Sequence, residues 1–157
     1  IVWMNKAFVD RPGDNRGRLA LADNWNENFE EMFLTEALPD IESHYRVIPD
    51  AAHRAMAGLS LGGMLTGTVG VRHSDMFGWL GIFSGGVVSE PALLRKETVR
   101  LVFETCGSQE YPDRIRQNVA ELKDQGFNAA AYVSPDTAHE WQTWRRSLYQ
   151  FLPLIFK

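Results

Sequence analysis

The chain has 157 residues, 45% of them hydrophobic and 23% charged, and a formal net charge of −4. That composition describes a soluble globular domain with enough chain for one hydrophobic core. It leaves no footprint for nucleic acid or an anionic membrane surface, because the basic residues are scattered, and no apolar run approaches the ~20 residues of a membrane-spanning helix. A single cysteine, Cys106, excludes an intrachain disulfide. The four histidines (His44, His53, His73 and His139) are dispersed without metal-ligand spacing, so no metal or cofactor is expected.

In chain order, the apolar Ile1-Val2-Trp3-Met4 reads as a strand that begins in mid-protein, with no initiating Met and no signal-peptide layout. A polar loop from Lys6 to Asn26 follows, long enough to carry a functional role. Asn26 or Asn28 is placed to cap a helix bearing Phe29, Met32, Phe33 and Ala37, and Pro39 starts a second helical piece. Arg54 to Leu59 is predicted as a short buried strand and Leu61 to Val71 as a helix. Further strands are expected at Trp79–Phe83, Arg100–Thr105 and Asn128–Val133. Helices are expected from Pro112 to about Gln125, stopped by Gly126, and from Trp141 to Leu152. Strands alternating with helices in this way imply one α/β domain over 1–157, a mainly parallel sheet covered on both faces.

The informative segment is Gly58-Leu59-Ser60-Leu61-Gly62, a G-x-S-x-G pattern between a strand and a helix. Such a turn pushes a serine oxygen out of the sheet as a nucleophile, and its two flanking glycines avoid side-chain collisions across a strained backbone. An ordinary Gly-rich turn is the bland alternative. A phosphate loop fits less well, since no Lys-Ser or Lys-Thr follows the glycines.

A serine hydroxyl needs a base, and an imidazole, with an ordinary pKa of about 6.5, can accept and return its proton. His139 is the candidate because it lies on a loop between a strand and a helix. His53 is expected at the far end of the nucleophile strand, and His44 and His73 on helices. The acid that orients the imidazole is expected past a strand end, where Glu110 stands in Cys106-Gly107-Ser108-Gln109-Glu110. Asp113 is the runner-up; Asp136 suits a local turn and Glu104 falls within its strand. The order Ser60, Glu110, His139 is the α/β-hydrolase order. The backbone N–H of Leu61 supplies one oxyanion donor, and no loop ahead of Ser60 supplies a convincing second.

Ala57-Gly58-Leu59-Ser60-Leu61-Gly62-Gly63, Cys106-Gly107-Ser108-Gln109-Glu110 and His139-Glu140-Trp141-Gln142-Thr143-Trp144-Arg145 together resemble the esterase D-like family of α/β-hydrolases. That family includes the feruloyl and acetyl xylan esterases of carbohydrate esterase family 1. The resemblance implies an α/β-hydrolase sheet lacking its N-terminal strands, on the order of 60 residues of upstream structure. A longer precursor or a partner chain would complete it. It further implies a serine esterase that forms an acyl-enzyme, acting on feruloyl or acetyl esters of plant-wall carbohydrate, with Trp25 and Trp141 as candidate substrate contacts. Acyl transfer to a sugar and a non-catalytic carbohydrate-binding remnant are the alternatives. A secreted or periplasmic location is implied by the resemblance alone. Many relatives carry aspartate at the position of Glu110.

Overall fold

The computed structural model describes residues 2–4 and 25–157, which divide between two compact units, 1–49 and 50–157. In the first unit, α1 (Trp25–Met32) runs through a π-helical stretch (Phe33–Ala37) into α2 (Leu38–His44). Phe29 and Phe33, four residues apart, share the buried face. Phe33 stacks on Phe29 at 5.6 Å and on Trp3 at 5.5 Å between ring centroids.

One local expectation holds here and two are corrected. Pro39 stands in the first turn of α2, as expected, and the Leu38 N–H donates to the Phe33 carbonyl five residues back, so the chain enters α2 through a widened turn immediately before the proline. Asn26 and Asn28 do not cap, because both fall inside α1. Val2–Met4 has no regular structure, since an apolar run becomes a strand only with a ladder partner. The remainder of the predicted strand and the loop to Asn24 lie outside the described residues.

The second unit is a four-stranded parallel sheet in the order β1-β2-β3-β4, formed by Ala55–Leu59, Trp79–Phe83, Leu101–Gly107 and Ala129–Ser134. The helices are α3 (Leu61–Leu65, continuing as a π-helix over Thr66–Gly70), α4 (Pro112–Asp124) and α5 (Trp141–Phe151). Side chains alternate between the two faces. Trp79, Phe83, Leu101 and Phe103 pack around Phe151 of α5, with Phe83 and Phe103 each within 6 Å of its ring. On the opposite face Leu80 and Ile82 lie against the α3 helix, where a Cβ on Gly70 would stand 3.1 Å from Leu80 and one on Gly67 3.6 Å from Ile82. Helices therefore cover both faces. β2 and β3 are buried throughout, whereas β1, expected to be buried, is only half-buried. Among the described residues β1 pairs with β2 alone, so one edge of its ladder is open.

The register aligns the carboxyl ends of the strands. Leu59 stands opposite Phe83, Phe83 opposite Thr105, and Gly107 opposite Ser134. Ladder-like hydrogen bonds reach one residue further, from the Ser60 N–H to the Phe83 carbonyl (2.8 Å) and from the Ser84 N–H to the Thr105 carbonyl (2.7 Å). Ligand chemistry in open parallel sheets gathers at this end.

Candidate active site

Ser60 leaves β1 with φ 51° and ψ −116°, a backbone setting that L-residues rarely adopt. The turn is tight enough that a Cβ on Gly58 would stand 2.2 Å from the Gly62 backbone. The second glycine of the pattern behaves differently from expectation. A Cβ on Gly62 would meet nothing within 4 Å; the flanking glycine under steric constraint is Gly63, whose Cβ would come 2.8 Å from Gly85 Cα. Gly62 contributes its closely approaching backbone rather than a space its own side chain would fill. Leu61 is the first residue of α3, so no carbonyl of its own helix accepts its N–H.

The structure brings Ser60, His139 and Glu110 into one hydrogen-bonded line. Ser60 Oγ is 2.7 Å from His139 Nε2, and His139 Nδ1 is 2.8 Å from Glu110 Oε1. The Glu110 side chain is buried (7% exposed) and the imidazole is half-exposed (49%). A buried acid behind an accessible imidazole leaves the serine side open to a ligand. The second oxygen of Glu110 is held independently: Oε2 accepts from the Gly107 N–H (2.6 Å) and from the Ser84 hydroxyl (2.8 Å).

The histidine loop is fixed from beneath. Thr143 of α5, fully buried, donates to the Ala138 carbonyl (2.5 Å) and lies 2.7 Å from Thr137 Oγ1. The Gln109 N–H donates to the Thr137 carbonyl, and Gly107 is small where that carbonyl crosses, since a Cβ there would lie 2.4 Å from it. Arg146 reaches the Pro135 carbonyl at 2.9 Å. The loops bearing the acid and the histidine are thus joined to each other before either touches a ligand.

The other candidates stand apart from this line. Asp113 pairs with Arg116 on α4 (2.9 Å), and Asp136 occupies a positive-φ turn, its N–H bonded to Ser108 Oγ. Glu104 is fully buried within β3 and accepts the Val88 N–H at 2.8 Å; burial pushes its carboxyl up to about 7, against the pull of that N–H and the Arg114 charge. Asn118, from α4, donates to the Val88 carbonyl at 3.0 Å, so Val88 is held on both backbone groups. His44 is bonded to Asp40 and His53 to Asp50, the latter bond holding the Asp50 carboxyl below its usual range. Burial raises the thiol of Cys106 on β3.

Of the two tryptophans expected to contact substrate, Trp141 opens α5 and is 74% exposed. It packs edge-on against Trp144 (5.2 Å), which in turn packs edge-on against His139 (5.0 Å). Trp25 is the first residue of α1, and its side chain lies outside what the structure describes. The sequence reading missed Ser84, Trp144 and Thr143. The Ser84-Gly85-Gly86 run at the end of β2 was the available signal for the first. Among the described residues no three His, Cys, Asp or Glu side chains stand together to hold a metal ion, and no helix is long and apolar enough to cross a membrane.

A parallel sheet wrapped by helices, with a strained serine turn at one strand end and a carboxylate and a histidine beyond two others, is an α/β-hydrolase-type fold. The esterase family model, described as "Putative esterase", matches residues 5–96. The chain belongs to that family. It is 40% identical over 131 residues to an endo-1,4-beta-xylanase/feruloyl esterase of Xylanibacter ruminicola, covering 83% of this chain and 18% of that protein. Its fold matches a CE1 ferulic acid esterase from the anaerobic fungus Anaeromyces mucronatus with a TM-score of 0.78 at 18% identity, over 96% of this chain and 62% of that one. A second solved ferulic acid esterase is 31% identical with a TM-score of 0.63, over 80% of this chain and 59% of that one. The chain therefore spans about a fifth of the curated relative and about three-fifths of the solved structures.

Proposed function

We propose that this chain carries the catalytic residues of a serine carboxylic-ester hydrolase acting through an acyl-enzyme on feruloyl or acetyl esters of plant-wall carbohydrate. The observation that carries the reading is the unbroken line from Ser60 Oγ through His139 to Glu110, with contacts of 2.7 and 2.8 Å. In this reading Ser60 Oγ attacks the ester carbonyl while His139 Nε2 takes its proton. The N–H of Leu61 donates to the oxyanion of the tetrahedral intermediate. Collapse breaks the bond to the sugar oxygen, which leaves with the proton from His139. Water, deprotonated by the same imidazole, then attacks the acyl-serine and releases the acid. Glu110 keeps Nδ1 protonated and Nε2 basic, and stabilises the imidazolium.

In this reading a longer precursor or a partner chain supplies the second oxyanion donor and a strand on the open edge of β1. Trp141, exposed beside the edge-on Trp144–His139 pair, is the candidate contact for an aromatic acyl group or a sugar ring. The feruloyl preference follows from the chain's likeness to feruloyl esterases. The test is release of free acid from methyl ferulate, acetylated xylan and feruloylated arabino-oligosaccharides by the full-length protein and by Ser60→Ala. The reading expects hydrolysis abolished by the substitution. Acyl-sugar products formed in place of free acid would support transfer instead, and equal turnover by both proteins would overturn the serine mechanism.

A further inference from the structure

We propose that Ser84 is a positioning residue for the acid of this site: its hydroxyl, donated to Glu110 Oε2, fixes which carboxylate oxygen meets His139 Nδ1. The inference rests on the serine-hydrolase reading above and extends it to a residue outside the expected triad.

A glutamate has three side-chain torsions and two chemically equivalent oxygens, and an unheld one samples many orientations. Glu110 is held at both oxygens. Oε2 receives Ser84 Oγ at 2.8 Å and the Gly107 N–H at 2.6 Å, which leaves Oε1 facing His139 at 2.8 Å. The Gly107 donor is a backbone group three residues from Glu110 in its own turn. Ser84 is the donor that arrives from a different strand.

Its backbone marks it further. Ser84 has φ 50°, in the left-handed region where glycine is the easy residue, and it is 5% exposed. The two residues that follow are glycines, yet this position carries a side chain whose hydroxyl is spent on the carboxylate. A strained non-glycine residue beside reactive groups points to a side-chain role rather than a turn requirement.

The turn is also rigidly tied to the nucleophile. A Cβ on Gly85 would stand 2.3 Å from Gly63 of α3, so the backbone after Ser84 lies directly on the helix that Ser60 begins. The Gly86 N–H donates to the hydroxyl of Tyr111, the residue next to Glu110 (3.1 Å). One tripeptide, Ser84-Gly85-Gly86, thus touches the nucleophile's helix and the acid's loop, and Ser84 provides the contact to the acid itself.

The experiment compares Ser84→Ala and Ser84→Gly in the full-length protein, with Ser60→Ala alongside, using methyl ferulate hydrolysis and the rate of labelling by a fluorophosphonate probe. Ser84→Gly suits the positive φ and keeps the turn, so it separates the hydroxyl from the backbone. Both variants are expected to lower kcat by about 10- to 100-fold, with KM changed less than about twofold and the labelling rate falling in parallel. Thermal melting of Ser84→Gly is expected to match the wild type. A Ser84→Gly protein with wild-type kcat, while Ser60→Ala is inactive, would overturn the role of Ser84 and leave the serine mechanism standing. Full activity in Ser60→Ala would remove the mechanism on which the inference rests.

Discussion

Glu104 makes stability depend on pH in a direction opposite to that of most carboxylates. It lies in β3 with no exposed surface, one oxygen bonded to the Val88 N–H and the other without a partner. Its carboxyl is raised from 4.5 to about 7 by burial. The folded state therefore keeps the proton up to about pH 7, whereas the unfolded chain loses it near 4.5. The contribution is full below about pH 4.5, falls as pH rises toward 7, and is flat above. Between about pH 5 and pH 8 the linkage relation gives a loss on the order of 2–3 kcal/mol from this one group. Glu104→Gln keeps an oxygen for the Val88 N–H and cannot ionise. Urea unfolding at a series of pH values is the assay, read as the difference between the two proteins. The variant is expected to gain on the wild type progressively from pH 5 to 8, by on the order of 2–3 kcal/mol. Parallel stability profiles across that range would refute a buried, proton-holding Glu104.

The two glycines of the serine turn are predicted to differ sharply on substitution. Gly58→Ala forces a Cβ to 2.2 Å from backbone and is expected to cost more than about 3 kcal/mol or to abolish soluble expression. Gly62→Ala enters open space inside a helix and is expected to be neutral or to stabilise by up to about 1 kcal/mol, as measured by thermal melting. Thr143→Val removes the hydroxyl that holds the Ala138 carbonyl and is expected to destabilise by about 1–3 kcal/mol. It should also lower kcat, by loosening the histidine loop, which steady-state kinetics on methyl ferulate would show. Ser60→Ala is expected to lower kcat by at least about 10⁴-fold, with the melting temperature held or raised.

The sheet was legible because its strands are short apolar runs punctuated by glycine: Trp79–Phe83 and Leu101–Gly107 begin and end within a residue or two of where hydrophobicity places them. The α4 helix was equally plain, with Ile115, Val119 and Leu122 on one face and Gly126 at φ 86° beyond its end. The meeting of Ser60, Glu110 and His139 could be anticipated because parallel strands in register deliver their carboxyl ends to one place. What the sequence hid depends on three-dimensional closeness without periodicity. Ser84 looks like an ordinary turn residue until β2 is placed between β1 and β3, when its hydroxyl falls on Glu110. The π stretch ahead of Pro39 was hidden because sequence patterns assume i to i−4 bonding, and a π turn escapes that assumption. Gly62 was read as a steric glycine from the motif, although the collision it avoids belongs to Gly58 and Gly63.

The central claim is that Ser60 is a nucleophile activated by His139. It is tested most directly by treating the full-length protein with a fluorophosphonate and locating the adduct by peptide mass spectrometry. The account predicts a single stoichiometric adduct on the peptide containing Ser60, slowed by at least about 10³-fold in His139→Ala and absent in Ser60→Ala. Labelling elsewhere, or labelling of Ser60 at the same rate without His139, would contradict it.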